Sequence, residues 1–248
     1  MHKISCLCVT NNRVNQLKNA IACFDAQTYV DKELVIVCLS NDKSSVEFLA
    51  QMKNHFITYF LVEDSEHLTL GDLRNIAIEK ASGSYICNWD DDDWYHPDRL
   101  KIQMWEMRFN GMPASILSYL LLYNTNTGDA YITNKRQWEN SICCEKKLLE
   151  EYSIKYPSLD KGEDTPFVSR LREIGVLFSI AKPHLYIYCF TGNNTCSNDH
   201  FRVIFQHSKK LSVALTKKIG LIVSGELTIH ESARELDRNK LLMEFNYD

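Results

Sequence analysis

The chain has 248 residues, 45% hydrophobic and 24% charged, an ordinary globular composition with room for one large domain or two small ones. A formal net charge of −4 argues against an extended nucleic-acid surface, and no apolar run approaches the length of a membrane span. Nine cysteines without a CxxC pair speak against structural zinc and for reduced thiols in a cytoplasmic protein.

Met1-His2-Lys3 and the apolar run behind it are too short for a signal sequence, and residues 4–9 read as a first buried strand. After the polar turn Asn11-Asn12-Arg13, residues 14–26 carry Val14, Leu17, Ala20, Ile21 and Phe24 at helical spacing. Continuous apolar character predicts a parallel strand at 33–39, followed by a helix at 44–54 and a strand at 56–62. A helix over 72–81, with Gly83 as its C-cap, leads to a strand at 84–89. Pro97-Asp98 opens a helix over 98–109. Strands are predicted at 114–123, 129–133, 176–180 and 184–190, and helices at 141–152 and 164–174. Alternation of this kind predicts an α/β fold with a mostly parallel central sheet flanked by helices. Residues 206–223 read as one basic amphipathic helix, with a charged segment behind it to the end.

The residues that stand out are Asp90-Asp91-Asp92-Asp93, set between Trp89 and Trp94. Four adjacent carboxylates at the end of a buried strand repel one another and call for positive charge. A hard divalent cation, Mg²⁺ or Mn²⁺, bound through oxygens and partnered with phosphates is the natural compensation. Ligands of open α/β sheets bind at the carboxyl ends of the strands, where Asn11-Asn12-Arg13, Ser40-Asn41-Asp42 and the aspartates all fall. Two other acids, Glu163-Asp164, begin a predicted helix, where they would equally suit the helix dipole. Asp93 reads as a helix-capping, structural residue, and His96 as one that packs or caps.

Taken in order, Val9-Thr10-Asn11-Asn12-Arg13, Gly71-Asp72-Leu73-Arg74-Asn75, Ala81-Ser82-Gly83, Trp89 to Trp94, Pro97-Asp98-Arg99-Leu100 and Gly162-Glu163-Asp164 resemble the inverting family 2 glycosyltransferases of the GT-A fold. The resemblance implies a domain over 1–205, with a nucleotide-sugar half (1–97), an acceptor half (98–205) and a helical extension at 206–248. It implies Asp92 as a ligand of Mn²⁺ or Mg²⁺, with Asp90 or Asp91 nearer the ribose or a metal-bound water, and His200 as a further metal or phosphate ligand. Thr10, Asn12, Arg13, Asp42, Gly71, Arg74 and Asn75 would contact the nucleotide-sugar donor, a UDP-sugar by preference. Asp164 would be the catalytic base, with Glu163 orienting the acceptor, a glycan or lipid-linked hydroxyl of bacterial surface-glycan synthesis. Where the family carries two acids after its second strand, this chain has Cys38-Leu39, with Asp42 as the nearest substitute.

The Gln-x-x-Arg-Trp motif of processive synthases is absent, which implies single additions. A nucleotidyltransferase is the alternative enzyme, although Val9 to Arg13 lacks the glycines of a triphosphate loop. A non-catalytic nucleotide- or sugar-binding module is the alternative of another class. For the basic helix the choices are peripheral contact with the inner face of a membrane or packing, on the domain or a second subunit; the acidic tail favours packing.

Overall fold

A computed structural model describes residues 2–64, 67–196, 198–239 and 242. Its elements run β1 (Ile4–Thr10), α1 (Val14–Asp25), β2 (Lys32–Leu39), α2 (Lys43–Ala50), β3 (Ile57–Val62), α3 (Leu70–Lys80), β4 (Tyr85–Asn88), β5 (Trp94–Tyr95) and α4 (Arg99–Phe109). They continue with β6 (Ala114–Leu117), β7 (Leu121–Asn124), β8 (Asp129–Ile132), β9 (Cys143–Glu145), α5 (Lys146–Glu151), α6 (Asp164–Glu173), β10 (Leu177–Ile180) and β11 (Tyr186–Phe190). Last come α7 (Asn198–His207), β12 (Lys209–Lys210), α8 (Val213–Val223) and α9 (Ile229–Asp237).

The first sheet has the order β10-β6-β9-β4-β1-β2-β3. It is parallel except for β9, which runs antiparallel between β4 and β6. Both faces are covered, so successive side chains enter different cores. Cys6, Cys8, Leu34 and Ile36 pack on the side of α1, whereas Leu7, Val35 and Val37 pack with Leu73 and Ala77 of α3. A second sheet, β12-β8-β7-β11-β5, stands beside it. The α/β architecture is the one expected.

Four local expectations are corrected. Gly83 is no C-cap, because α3 ends at Ala81 in extended backbone. Glycine is required there because a Cβ would lie 2.6 Å from Ser5 Oγ and 2.7 Å from the Lys3 carbonyl oxygen. The single strand expected at 114–123 divides: β6 belongs to the first sheet and β7 to the second, and an unbroken apolar run cannot reveal which sheet each part enters. The helix expected at 141–152 begins only at Lys146. Ahead of it, Cys143 and Cys144 form β9 and enter opposite cores, a strand alternation too short to compete with a helical reading.

The fourth is the helix at 206–223. Lys209 and Lys210 are strand residues paired with Ile132 and Tyr131, and α8 starts after them under a Ser212 cap. Leu215, Ile219 and Ile222 form the buried face of α8, whereas Leu211, expected on the same helical face, is buried ahead of the helix. The charged segment expected to run to the end forms α9 as far as Asp237, and its continuation at 240–241 and 243–248 lies outside the described residues.

Candidate active site

Strands β1 and β4 run parallel and adjacent, so their carboxyl ends place Thr10 to Arg13 against the aspartates. Thr10 Oγ1 donates to Asp91 Oδ2 at 2.7 Å. Arg13 Nη1 reaches Asp91 Oδ1 at 3.3 Å and Asp92 Oδ2 at 3.0 Å, while its Nη2 donates to the Asn193 carbonyl at 2.7 Å. Asn194 Nδ2 adds a second bond to Asp92 Oδ2 at 3.0 Å. Asp93 points away, accepting from Tyr186 Oη at 2.5 Å and the Cys189 amide at 2.8 Å. It is structural, as expected, but caps no helix, since α4 begins only at Arg99. His96 is buried, and its Nδ1 accepts from the Asp98 amide at 3.1 Å just ahead of α4.

Helix α3 delivers Arg74 from the opposite wall. Its Nη2 donates to Asp90 Oδ1 and its Nε to Glu163 Oε1, both at 2.8 Å. Glu163 occupies the N-cap position of α6 but makes no side-chain cap bond, so its carboxylate serves Arg74 rather than the helix. Arg74 Nη1 is buried without a hydrogen-bond partner among the described residues. The resulting cleft is lined by Arg13, Arg74, Asp90, Asp91, Asp92, Lys161, Glu163 and Asp164. Three cations therefore face five carboxyl groups.

That excess of acid has electrostatic consequences. Burial, then the neighbouring Asp91, pushes Asp92 up to about 7. Burial also raises Asp91 and, with the charge of Asp92, raises Asp93 well above the carboxylate range. Burial, then Glu163, pushes Asp164 up to about 6. Asp164 also borders an adjoining cavity formed with Arg136, Trp138, Glu139, Lys161, Tyr188 and His200. There His200 stands, its imidazole lowered by burial and by Arg136.

The remaining expected residues lie around the cleft. Asp42 is buried, and the Asn12 and Ser45 amides donate to its two oxygens at 2.6 and 3.1 Å. It thus caps α2 and holds Asn12, whose φ is +55°. Cys38 and Leu39 are buried, and the exposed polar contact at this edge joins Asn41 to Asp64 at 2.7 Å. Asn75 exchanges two bonds with the Tyr156 backbone. A Cβ on Gly71 would meet the Pro157 carbonyl at 1.9 Å, so both residues seat the segment that leads to Glu163. Asn194, Tyr186 and Lys161 were not singled out from sequence. Only Asn193-Asn194 behind the last long strand offered a signal, as a polar turn pair.

A mostly parallel sheet ending in an acidic cluster, faced by a second wall that carries Glu163 and Asp164, defines an α/β fold with its cleft at the carboxyl ends of the strands. Residues 5–152 match the glycosyl transferase family 2, and the chain belongs to that family. It is 30% identical over 122 residues to an uncharacterized glycosyltransferase of Rickettsia conorii and 29% identical to one of Rickettsia felis. Each alignment covers 47% of this chain and only 19% of the relative's length. Among solved structures, S. aureus TarS in complex with UDP-GlcNAc aligns with a TM-score of 0.63 at 15% identity, over 90% of this chain and 71% of that one. The mannosyltransferase PcManGT of Pyrobaculum calidifontis, in complex with GDP-Man and Mn²⁺, aligns with a TM-score of 0.59 at 15% identity, over 93% and 72%. These likenesses establish the GT-A fold.

Proposed function

We propose that this chain is a metal-dependent inverting glycosyltransferase that moves one sugar from a nucleotide-sugar to an acceptor hydroxyl in surface-glycan synthesis. The observation that carries the reading is the Arg74 bridge, which sets Asp90 on the donor wall and Glu163-Asp164 on the other side of one cleft.

Among the described residues no three His, Cys, Asp or Glu side chains form a ready metal cage. None is needed, because Mg²⁺ and Mn²⁺ are commonly held by one or two carboxylates together with substrate phosphates. The hard oxygens of Asp92 and Asp90 or Asp91 fit that role, and the surplus of carboxyl groups in the cleft favours it. When bound, the cation would neutralise charge developing on the departing diphosphate. The unpartnered Arg74 Nη1 is a donor suited to the same oxygens.

The acceptor hydroxyl enters from the side of Trp138, Tyr188 and His200. Its oxygen attacks the anomeric carbon on the face opposite the diphosphate. The new C–O bond forms as the bond to the diphosphate breaks, which inverts the configuration. Asp164 takes the hydroxyl proton, and a base with a pKa near 6 is ionised at neutral pH yet basic enough to accept it. Glu163, held by Arg74, fixes the start of α6 and thereby the position of Asp164.

The relatives in complex with UDP-GlcNAc and GDP-Man make UDP- and GDP-sugars the donors to try first, UDP-sugars ahead. The test is a thermal-shift screen of such donors with and without Mn²⁺, since a ligand bound to the native state alone raises the melting temperature. Donor hydrolysis and the anomeric configuration of the product, read by NMR, complete it. Metal-independent binding, or a product with retained configuration, would sink the corresponding half of the proposal.

A further inference from the structure

We propose that Arg13 is the resident counter-cation of the aspartate cluster, standing where the divalent cation binds, so that metal and nucleotide diphosphate are taken up together. The inference rests on the metal-dependent reading above and assigns Arg13 a role in it beyond contacting the donor.

The guanidinium spans two carboxylates that would otherwise repel one another, with Nη1 at 3.3 Å from Asp91 Oδ1 and 3.0 Å from Asp92 Oδ2. The other donors on these groups, Thr10 on Asp91 and Asn194 on Asp92, are neutral. The second cation at the cluster, Arg74, is engaged with Asp90 and Glu163 instead. Arg13 alone therefore supplies positive charge between Asp91 and Asp92 among the described residues. A third bond, from Nη2 to the Asn193 carbonyl at 2.7 Å, fixes the fork in that position and ties it to the loop after β11.

A divalent cation reaching Asp92 must compete with these bonds. Metal arriving alone would push a guanidinium off two carboxylates and leave it nothing equivalent to bind. Metal arriving with a diphosphate offers Arg13 phosphate oxygens as replacement acceptors, and guanidinium geometry suits them. Because binding linkage is reciprocal, metal and nucleotide must then raise each other's affinity by the same factor.

The experiment measures Mn²⁺ binding to the full chain from the EPR signal of free Mn²⁺, alone and with UDP or GDP, for the wild type, Arg13→Met and Arg13→Lys. Circular dichroism establishes that each variant is folded. The wild type should bind Mn²⁺ weakly alone and at least about tenfold more tightly with its nucleotide, a coupling within the ordinary range. Arg13→Met should bind Mn²⁺ alone about tenfold more tightly than the wild type and keep only that part of the nucleotide dependence which ligation of the metal by phosphate oxygens supplies. Arg13→Lys, with one ammonium in place of the fork, should fall between. Should Arg13→Met fail to fold, Arg13→Lys carries the comparison. If the wild type binds Mn²⁺ with nucleotide but neither variant gains affinity for metal alone, Arg13 is only a donor contact and the inference is overturned. If the wild type binds no Mn²⁺ with either nucleotide, the metal-dependent reading itself has failed and takes the inference with it.

Discussion

Arg74 Nε lies 2.8 Å from Glu163 Oε1, although 89 residues separate them in the chain. The side chains are only 8% and 4% exposed, so each charge depends on the other for solvation. Removing one partner of such a pair costs about 3–5 kcal/mol. Arg74→Met should therefore lower stability to urea by that order and abolish donor binding. Glu163→Gln, which still accepts a hydrogen bond, should cost less and act mainly on the acceptor step. Equal and small losses in both variants would mean that the pair holds nothing together.

Asp164 offers a prediction in pH. As the base it must be ionised, so turnover should rise as pH passes through about 6 and level off above it. Asp164→Asn should lose about 10²–10⁴-fold in kcat with donor affinity nearly unchanged. The stability effect has the opposite sign. A carboxyl whose folded pKa is raised above its unfolded value of 3.8 loses stability as pH climbs from there to about 6. At pH 8 Asp164→Asn should then be more stable than the wild type, by on the order of 2 kcal/mol. A fully active variant would mean that the base has been misassigned.

How far the sequence could be read follows from the range of the interactions. Strands β1, β2 and β4 were legible because sheets buried on both faces demand unbroken apolar runs, and the aspartates stood out because their repulsion is local in sequence. The first four residues of the run Ala114 to Asn124 and the last four satisfy that same demand in two different sheets, and only pairing partners such as Ile180 and Ile132 distinguish them. The site behaved alike. Glu163 next to Asp164 fits a helix start by every local criterion, and its partner Arg74 lies 89 residues away. Asp42 shows the same limit: its residue type and place mark it as polar and near the site, but only the fold shows that its oxygens accept from the Asn12 and Ser45 amides.

Glu33 should govern the acid limb of stability. Burial opposes its ionisation, but bonds from Lys3, Ser5 and Ser82 outweigh it and bring Glu33 down to about 2. A lowered carboxylate contributes stability that is present above its unfolded value of 4.5 and lost as pH falls toward 2. The contribution is on the order of 3 kcal/mol at neutral pH. Glu33→Gln should remove most of it and flatten the decline of stability between pH 5 and 2. An unchanged slope in urea titrations across that range would contradict the assignment.

The last prediction concerns the lysines at 209–218. Leu215, Ile219 and Ile222 of α8 are buried, and the helix packs beside β8 rather than presenting that face outward. Two of the four lysines are already committed, Lys210 to Asp129 at 2.7 Å and Lys218 to Glu235. A lysine near an anionic surface contributes roughly 1 kcal/mol, so Lys209 and Lys217 would supply only about 2 kcal/mol, and among the described residues of α8 Val213 is the large apolar side chain left exposed to add to it. Sedimentation with anionic vesicles should accordingly detect no association through this segment at physiological salt. Changing all four lysines to glutamine should alter it little. Ile219→Ala, by contrast, should lower stability by about 2–5 kcal/mol, because it opens a cavity at a position with no exposure. Salt-sensitive co-sedimentation that disappears in the glutamine variant, together with a silent Ile219→Ala, would show instead that α8 leaves the body of the protein to lie on the membrane.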